Sequence, residues 1–182
     1  MAAAMTGRQD FQAMQVTFTR TGERRYRVSV ERHGIEPSYM DPAPGYDAKL
    51  PHDAAHFIVE NELGVQGGVF GQLAAGGNAG SFRSDTLKRP RRAEKRSAGM
   101  VRANRDEALF SEHAVHVACT TWLGRREVPA TRISPDELER ICRAFDDFST
   151  KWSKLGVGES ITLAWNGQRA RPQARRGHPL HR

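Results

Sequence analysis

The sequence predicts an α+β fold, a small antiparallel sheet packed against about three helices. Three observations predict it. Residues 14–32 alternate apolar and polar side chains on both sides of a glycine-containing turn. Residues 160–165 alternate in the same way near the far end of the chain. Between them lie segments whose apolar residues recur at helical spacing.

The elements follow in order. Residues 1–13 carry no pattern and read as a disordered leader, with Met5 and Met14 as alternative starts. Met14, Val16 and Phe18 then fall on one side of a strand, and Gln15, Thr17 and Thr19 on the other. After the turn at Thr21-Gly22-Glu23, Tyr26, Val28 and Val30 alternate with Arg25, Arg27, Ser29 and Glu31. Two such runs around a tight turn make an antiparallel hairpin. Residues 34–50 hold three prolines and two glycines and read as an irregular connector. A helix starts at Pro51, runs to Leu63 and stops at Gly64, because Pro suits the first turn and Gly the C-terminal stop. Residues 65–75 add a short, glycine-broken helical turn, and residues 77–103 read as a flexible basic linker.

A further helix begins near Asn104 and ends at Gly124, with Leu109, Phe110, His113, His116, Val117 and Thr120 on one face. Residues 125–133 form a loop. Ser134-Pro135-Asp136-Glu137 is a capping box with Pro at the first helical position. The helix it opens carries Leu138, Ile141, Cys142, Phe145, Phe148, Trp152 and Leu155 on one stripe and ends at Gly156. Ile161, Leu163 and Trp165 then alternate with Ser160, Thr162 and Ala164 as a third strand beside the hairpin. One domain is thus expected over residues 14–166, followed by a disordered basic tail at 167–182.

Composition narrows the class. The chain has 182 residues, one domain by length, and its two cysteines, Cys119 and Cys142, are too few for a disulfide scaffold or a four-cysteine zinc site. No apolar run approaches the ~20 residues of a membrane span. The N-terminus lacks a basic stretch followed by an apolar one, so no secretory signal is predicted and the expected compartment is the cytoplasm. The net charge of +7 is unevenly placed. Residues 83–105 carry a local +7 and residues 168–182 a local +5, which leaves −5 for the rest of the chain. The basic stretches, Arg89, Arg91, Arg92, Lys95 and Arg96 among them, suit either a solvated linker and tail or nonspecific contact with nucleic-acid phosphates. Neither interleaves aromatics with its arginines, so base stacking is not predicted from them.

One constellation can carry chemistry. On the helix from Pro51, His52, His56 and Glu60 are spaced i, i+4, i+8. At about 100° per residue, His56 and Glu60 lie about 40° and 80° round from His52, and Asp53 about 100° round. Two imidazoles one turn apart can direct nitrogens at one point, the basis of helical zinc motifs, with Glu60 as an oxygen ligand and Asp53 orienting a histidine from behind. Both histidines fall within the stripe of Ala55, Val59 and Leu63, so they are expected to be shielded. His113 and His116 fall on the stripe of the later helix and are further candidate ligands if the two faces pack together. The same residues also suit a core and helix-capping device without metal.

The stretch YDAKLPHDAAHFIVENELGVQGGVFGQLAAGG, with the hairpin and the terminal W-x-x-L-x-x-G-x-S-I-T-L-x-W, resembles a family of small uncharacterised actinobacterial proteins. That resemblance implies no activity. His52-Asp53-Ala54-Ala55-His56 is also similar to the HExxH of zincin metalloproteases, with Asp53 in the place of the general-base Glu. It is similar as well to the HDxxH of ubiquinone-biosynthesis scaffold proteins, which carry Glu where this chain has Gly68.

No phosphate-binding glycine loop and no Gly-x-Ser-x-Gly elbow is present. Two functions therefore stand as expectations. The first is a protein binding zinc or another divalent metal through His52, His56 and Glu60. The second is a non-enzymatic module that meets a protein partner, with basic segments adding affinity for nucleic acid and no contact with membranes.

Overall fold

The alternating run at the start of the chain forms the expected hairpin. β1 (Gln15–Gly22) and β2 (Arg25–Arg32) pair antiparallel, with Val16 opposite Val30 and Phe18 opposite Val28. The structure is a computed structural model that describes residues 14–77, 82–84, 105–125 and 129–167. Two further strands flank the hairpin. β4 (Ser160–Ala164) pairs with β1, as the sequence predicts. β3 (Ile35–Met40) pairs with β2 inside the stretch expected to be irregular, giving the order β3-β2-β1-β4. Pro37 obscured this strand. A proline is tolerated at a sheet edge, where its missing N–H need not face a partner, and β3 is an edge strand whose pairing is irregular between Val30 and Arg32.

Four residues of the expected linker, Gly77 and residues 82–84, are described with the folded body. Tyr39 and Arg83 exchange both backbone hydrogen bonds at 2.8 Å, and Phe82 is buried beside Phe70. The leader 1–13, the linker segments 78–81 and 85–104, which include Arg89, Arg91, Arg92, Lys95 and Arg96, and the tail from 168 lie outside the described residues.

Four helices are described. α1 (His52–Leu63) ends on Gly64 in the left-handed conformation, φ 65°, as expected from its glycine. α2 (Val69–Ala74) follows after a short loop. α3 spans Arg105–Trp122 and α4 spans Pro135–Trp152. The predicted capping box starts α4: the Ser134 N–H donates to Glu137 Oε2 at 2.8 Å, and the Glu137 N–H donates back to Ser134 Oγ at 3.3 Å. None of the described helices is long and apolar enough to cross a membrane.

The helices meet one face of the sheet. Val16, Phe18, Tyr26, Val28, Val30 and Met40 point into the core. Phe18 meets Phe57 of α1 and Phe148 of α4 edge-on, at 6.2 and 5.5 Å between ring centroids, and Tyr26 meets Trp152 at 6.0 Å. Each such fully buried side chain stabilises the fold by about 1.5–3 kcal/mol. α1 is the central helix. Contacts of His56 with Glu112, Glu60 with Ser111 and Gly67 with Glu107 run α3 antiparallel to it. The Arg140–Glu62 pair and the bond from Trp152 Nε1 to Asp47 O do the same for α4.

This wrapping corrects two expectations. α1 has no simple apolar stripe: nine of its residues, Asp53, His56 and Glu60 among them, are buried, whereas His52 is exposed. α3 is turned from the predicted orientation. Its buried residues are Ser111, Ala114, Val115, Val117, Ala118 and Thr120, while Leu109, His113 and His116 are exposed. The buried side of α3 thus keeps Val117 and Thr120 of the predicted face and adds Ser111, Ala114, Val115 and Ala118 in place of Leu109, His113 and His116.

Candidate functional site

The polar centre of the molecule is Glu60, which is fully buried. Its two oxygens accept four hydrogen bonds. The Val69 and Phe70 N–H groups donate to Oε1 and Oε2 at 2.9 and 2.8 Å, the Gly71 N–H to Oε2 at 3.3 Å, and Ser111 Oγ to Oε1 at 2.8 Å. The first turn of α2 thus spends its free N–H groups on one carboxylate, which offsets the cost of removing that charge from water. Gly68 makes room for it. A Cβ at Gly68 would collide with the Glu60 carboxylate, and one at Gly71 would collide with the Val65 and Gln66 carbonyls. Gly68 has φ −74° and ψ −178°, a conformation open to any residue, so this position needs space and not backbone freedom. The E-N-E-L-G-V-Q-G-G-V-F-G stretch is one device: a buried carboxylate and the glycines that admit it.

His56 lies one turn before Glu60 and is 3% exposed. Its Nδ1 is 3.6 Å from Glu60 Oε1 and has no hydrogen-bond partner, and its Nε2 is 3.6 Å from Glu112 Oε2 on α3. The ring of exposed His52 meets it edge-on at 4.6 Å. Burial pulls the His56 pKa down, but the Glu60 carboxylate beside it, with further charge from Glu112 and Asp53, leaves it raised above the ordinary imidazole value. In its protonated form His56 is a counter-charge to the buried carboxylate.

A second buried pair adjoins it. Tyr26 Oη on β2 lies 2.5 Å from Pro44 O and also hydrogen-bonds to Asp53 Oδ2. The one hydroxyl hydrogen can serve only one of these acceptors. A protonated Asp53 that donates to Tyr26 Oη lets Tyr26 donate to Pro44 O, and both contacts are then satisfied. Burial raises the Asp53 pKa, against opposing contributions from Tyr26, His52 and His56, and it also raises that of Tyr26.

The expected metal ligands do not converge. Glu60 has its oxygens occupied by four donors. The two His56 nitrogens, on different sides of one ring, face different carboxylates. Asp53 is engaged with Tyr26 instead of orienting a histidine. His113 is exposed and its Nε2 lies 2.9 Å from Ala130 O, and His116 is exposed as well. Among the described residues no group of three or more His, Cys, Asp or Glu side chains is arranged to hold a metal ion. The residues present do not fit the zinc set that the sequence suggested. Gly68 holds space for Glu60 and supplies no ligand. Cys119 and Cys142 are partly buried, and burial pushes both thiols up.

A second feature lies at the loop between α1 and α2. Gln66 Nε2 donates to Gly167 O at 2.6 Å, and the neighbouring Gly67 N–H donates to Glu107 Oε2 at 2.6 Å. Gly167 immediately precedes the basic tail, and Glu107 lies two residues past Arg105, the end of the first basic stretch. Two adjacent loop residues therefore hold the stems of both basic segments. Sequence reading missed Tyr26, Ser111 and Glu112 as partners of the α1 polar residues, since each comes from another element. The chain matches no protein-family profile, no curated protein and no solved structure.

Proposed function

We propose that the protein is a non-enzymatic nucleic-acid-binding module, which neutralises backbone phosphates with segments 83–105 and 168–182 acting together. The observation that carries this reading is the shared anchorage at Gln66 and Gly67. It tethers stretches of local charge +7 and +5 to one corner of a body whose remaining residues sum to −5. Two cationic arms on one anchor raise each other's effective concentration at a bound polyanion. The rest of the chain is net acidic, so the two basic segments are the main source of attraction for phosphate.

Binding of this kind is governed by counterion release. With about 6–10 phosphate contacts, affinity falls roughly 10³–10⁵-fold between 50 and 200 mM salt and shows little sequence preference. The test is fluorescence anisotropy with a short labelled duplex. Truncation after Gly167, or glutamine at Arg89, Arg91, Arg92, Lys95 and Arg96, each reduces affinity, and the combination abolishes it while circular dichroism stays unchanged. Salt-resistant, sequence-selective binding by the combined variant overturns the reading.

A further inference from the structure

We infer that the face of the sheet turned away from the described helices is a track for single-stranded nucleic acid, centred on Arg27, Tyr39 and Arg83. This rests on the nucleic-acid reading above and names a partner and a surface that the basic segments alone do not.

The helices cover one face of the sheet, so the alternate residues of each strand face away from them. The register aligns these residues in rows. Thr162 pairs with Thr17, Thr17 with Ser29, Ser29 with Tyr39 and Tyr39 with Arg83. Residues paired across antiparallel strands carry their side chains on the same face. One row of hydroxyls therefore crosses the sheet and ends at a tyrosine and an arginine. The span is about 19 Å, from four strand spacings of about 4.8 Å. The adjacent row runs from Ser160 through Thr19 to Arg27.

The edge of this surface is cationic and aromatic. The Arg27 guanidinium lies over the Tyr39 ring, 4.3 Å from its centroid, and its buried Nε has no hydrogen-bond partner among the described residues. Arg83, exposed and held by both backbone bonds to Tyr39, is the first residue of the basic stretch 83–105. The track thus joins the segment to which the nucleic-acid reading already assigns phosphate contacts. Arg25 is paired with Asp41 at 3.0 Å, and Glu31 lies on the same face opposite Gln15. An anion is therefore favoured across the strands at Arg27 and Arg83, and disfavoured along β2 towards Glu31.

The chemistry selects a single strand. An unstacked base can lie on a guanidinium plane, and the Tyr39 ring holds the Arg27 plane in place. Arg83 then meets a phosphate, and the Ser and Thr hydroxyls meet sugar and phosphate oxygens. A duplex keeps its base faces stacked inside and gains nothing from this platform.

The test compares affinities of the full chain for a labelled single strand and a labelled duplex. Arg27→Lys keeps the charge but loses the planar fork. It should weaken single-strand binding about tenfold, the scale of one lost stacking contact, and leave duplex binding within about twofold. Tyr39→Leu should act in the same direction, and ultraviolet crosslinks to a single strand should map to β2 and β3. Equal single-strand affinity in wild type and Arg27→Lys, with crosslinks confined to 85–104 and 168–182, overturns the inference while leaving the basic-segment reading intact. Loss of that reading shows separately, as duplex binding that survives neutralisation of both segments.

Discussion

The Glu60 carboxylate occupies the space that a side chain at Gly68 would fill. A charge buried at the centre of the molecule is tolerated because a helix start, a serine and a histidine surround it, and the missing Cβ is what lets the helix start approach. The stability predictions below follow from this relationship and from the titratable groups beside it.

Gly68→Ala should destabilise the protein although the backbone at that position suits alanine. The added methyl displaces the carboxylate and breaks the bonds from Val69, Phe70 and Gly71. Urea unfolding should show a loss on the order of 3–5 kcal/mol, the range for breaking a buried hydrogen-bond network. Glu60→Ala, which orphans the same N–H groups, should cost a similar amount. A loss below about 1 kcal/mol, the ordinary penalty of a benign substitution, contradicts the role given to the pair.

Stability should fall as pH rises through neutrality. The folded pKa of His56 is raised above its unfolded value of 6.5. Its stabilising contribution is complete below that value and is lost as pH climbs through the higher folded pKa. Asp53 has the same sign over a range that starts lower: its folded pKa is raised above 3.8, so its contribution is complete below 3.8 and is lost as pH climbs through the raised folded value. Urea midpoints measured from mildly acidic to mildly alkaline pH should decline for wild type and flatten for His56→Gln. A midpoint that rises with pH in this window contradicts the assignment.

Asp53→Asn should be far milder than Asp53→Ala. An amide can donate to Tyr26 Oη as the protonated acid does, whereas alanine leaves the hydroxyl with one partner fewer. Tyr26→Phe should cost about 1–3 kcal/mol, because it leaves Pro44 O and Asp53 without their shared partner. Thermal unfolding of the three variants checks the order. Asp53→Asn as damaging as Asp53→Ala indicates that Asp53 is ionised.

Protein purified without a histidine tag should carry no stoichiometric zinc by elemental analysis, and His56→Ala should lower stability equally with and without added zinc. The four donors on Glu60 and the divergent His56 nitrogens are the reasons. Near-stoichiometric zinc, lost in His56→Ala, contradicts them.

Much of the fold was legible in the sequence. The hairpin, the C-terminal strand, the bounds of α1 and the Ser134 capping box follow from alternation, proline and glycine placement, and side-chain caps, all of which act between near neighbours. β3 was hidden by Pro37, whose tolerance depends on an edge position that only the assembled sheet defines. The site was legible in part. Helical spacing put His52, Asp53, His56 and Glu60 on one side of α1, but one helical wheel does not show what packs around a central helix, and His52 is exposed. Glu60 was read as a ligand because α2, its actual partner, arrives from a separate element. The face of Leu109, Phe110, His113, His116, Val117 and Thr120 is buried only at Val117 and Thr120 and partly at Phe110, because the packing partner of α3 decides which side turns inward. Tyr39 and Arg83 are far apart in sequence, so no local pattern joins the aromatic ring to the basic stretch.

The most direct test of the central claim, that two basic segments anchored at Gln66 and Gly67 act together on phosphate, is the salt dependence of duplex binding. The slope of log affinity against log salt should be about −5 to −9 for the full chain, from about 0.9 per phosphate neutralised. It should be clearly shallower with either segment removed or neutralised, and no binding should be measurable when both are altered. A slope unchanged by loss of either segment, or full affinity in the doubly altered chain, contradicts the account.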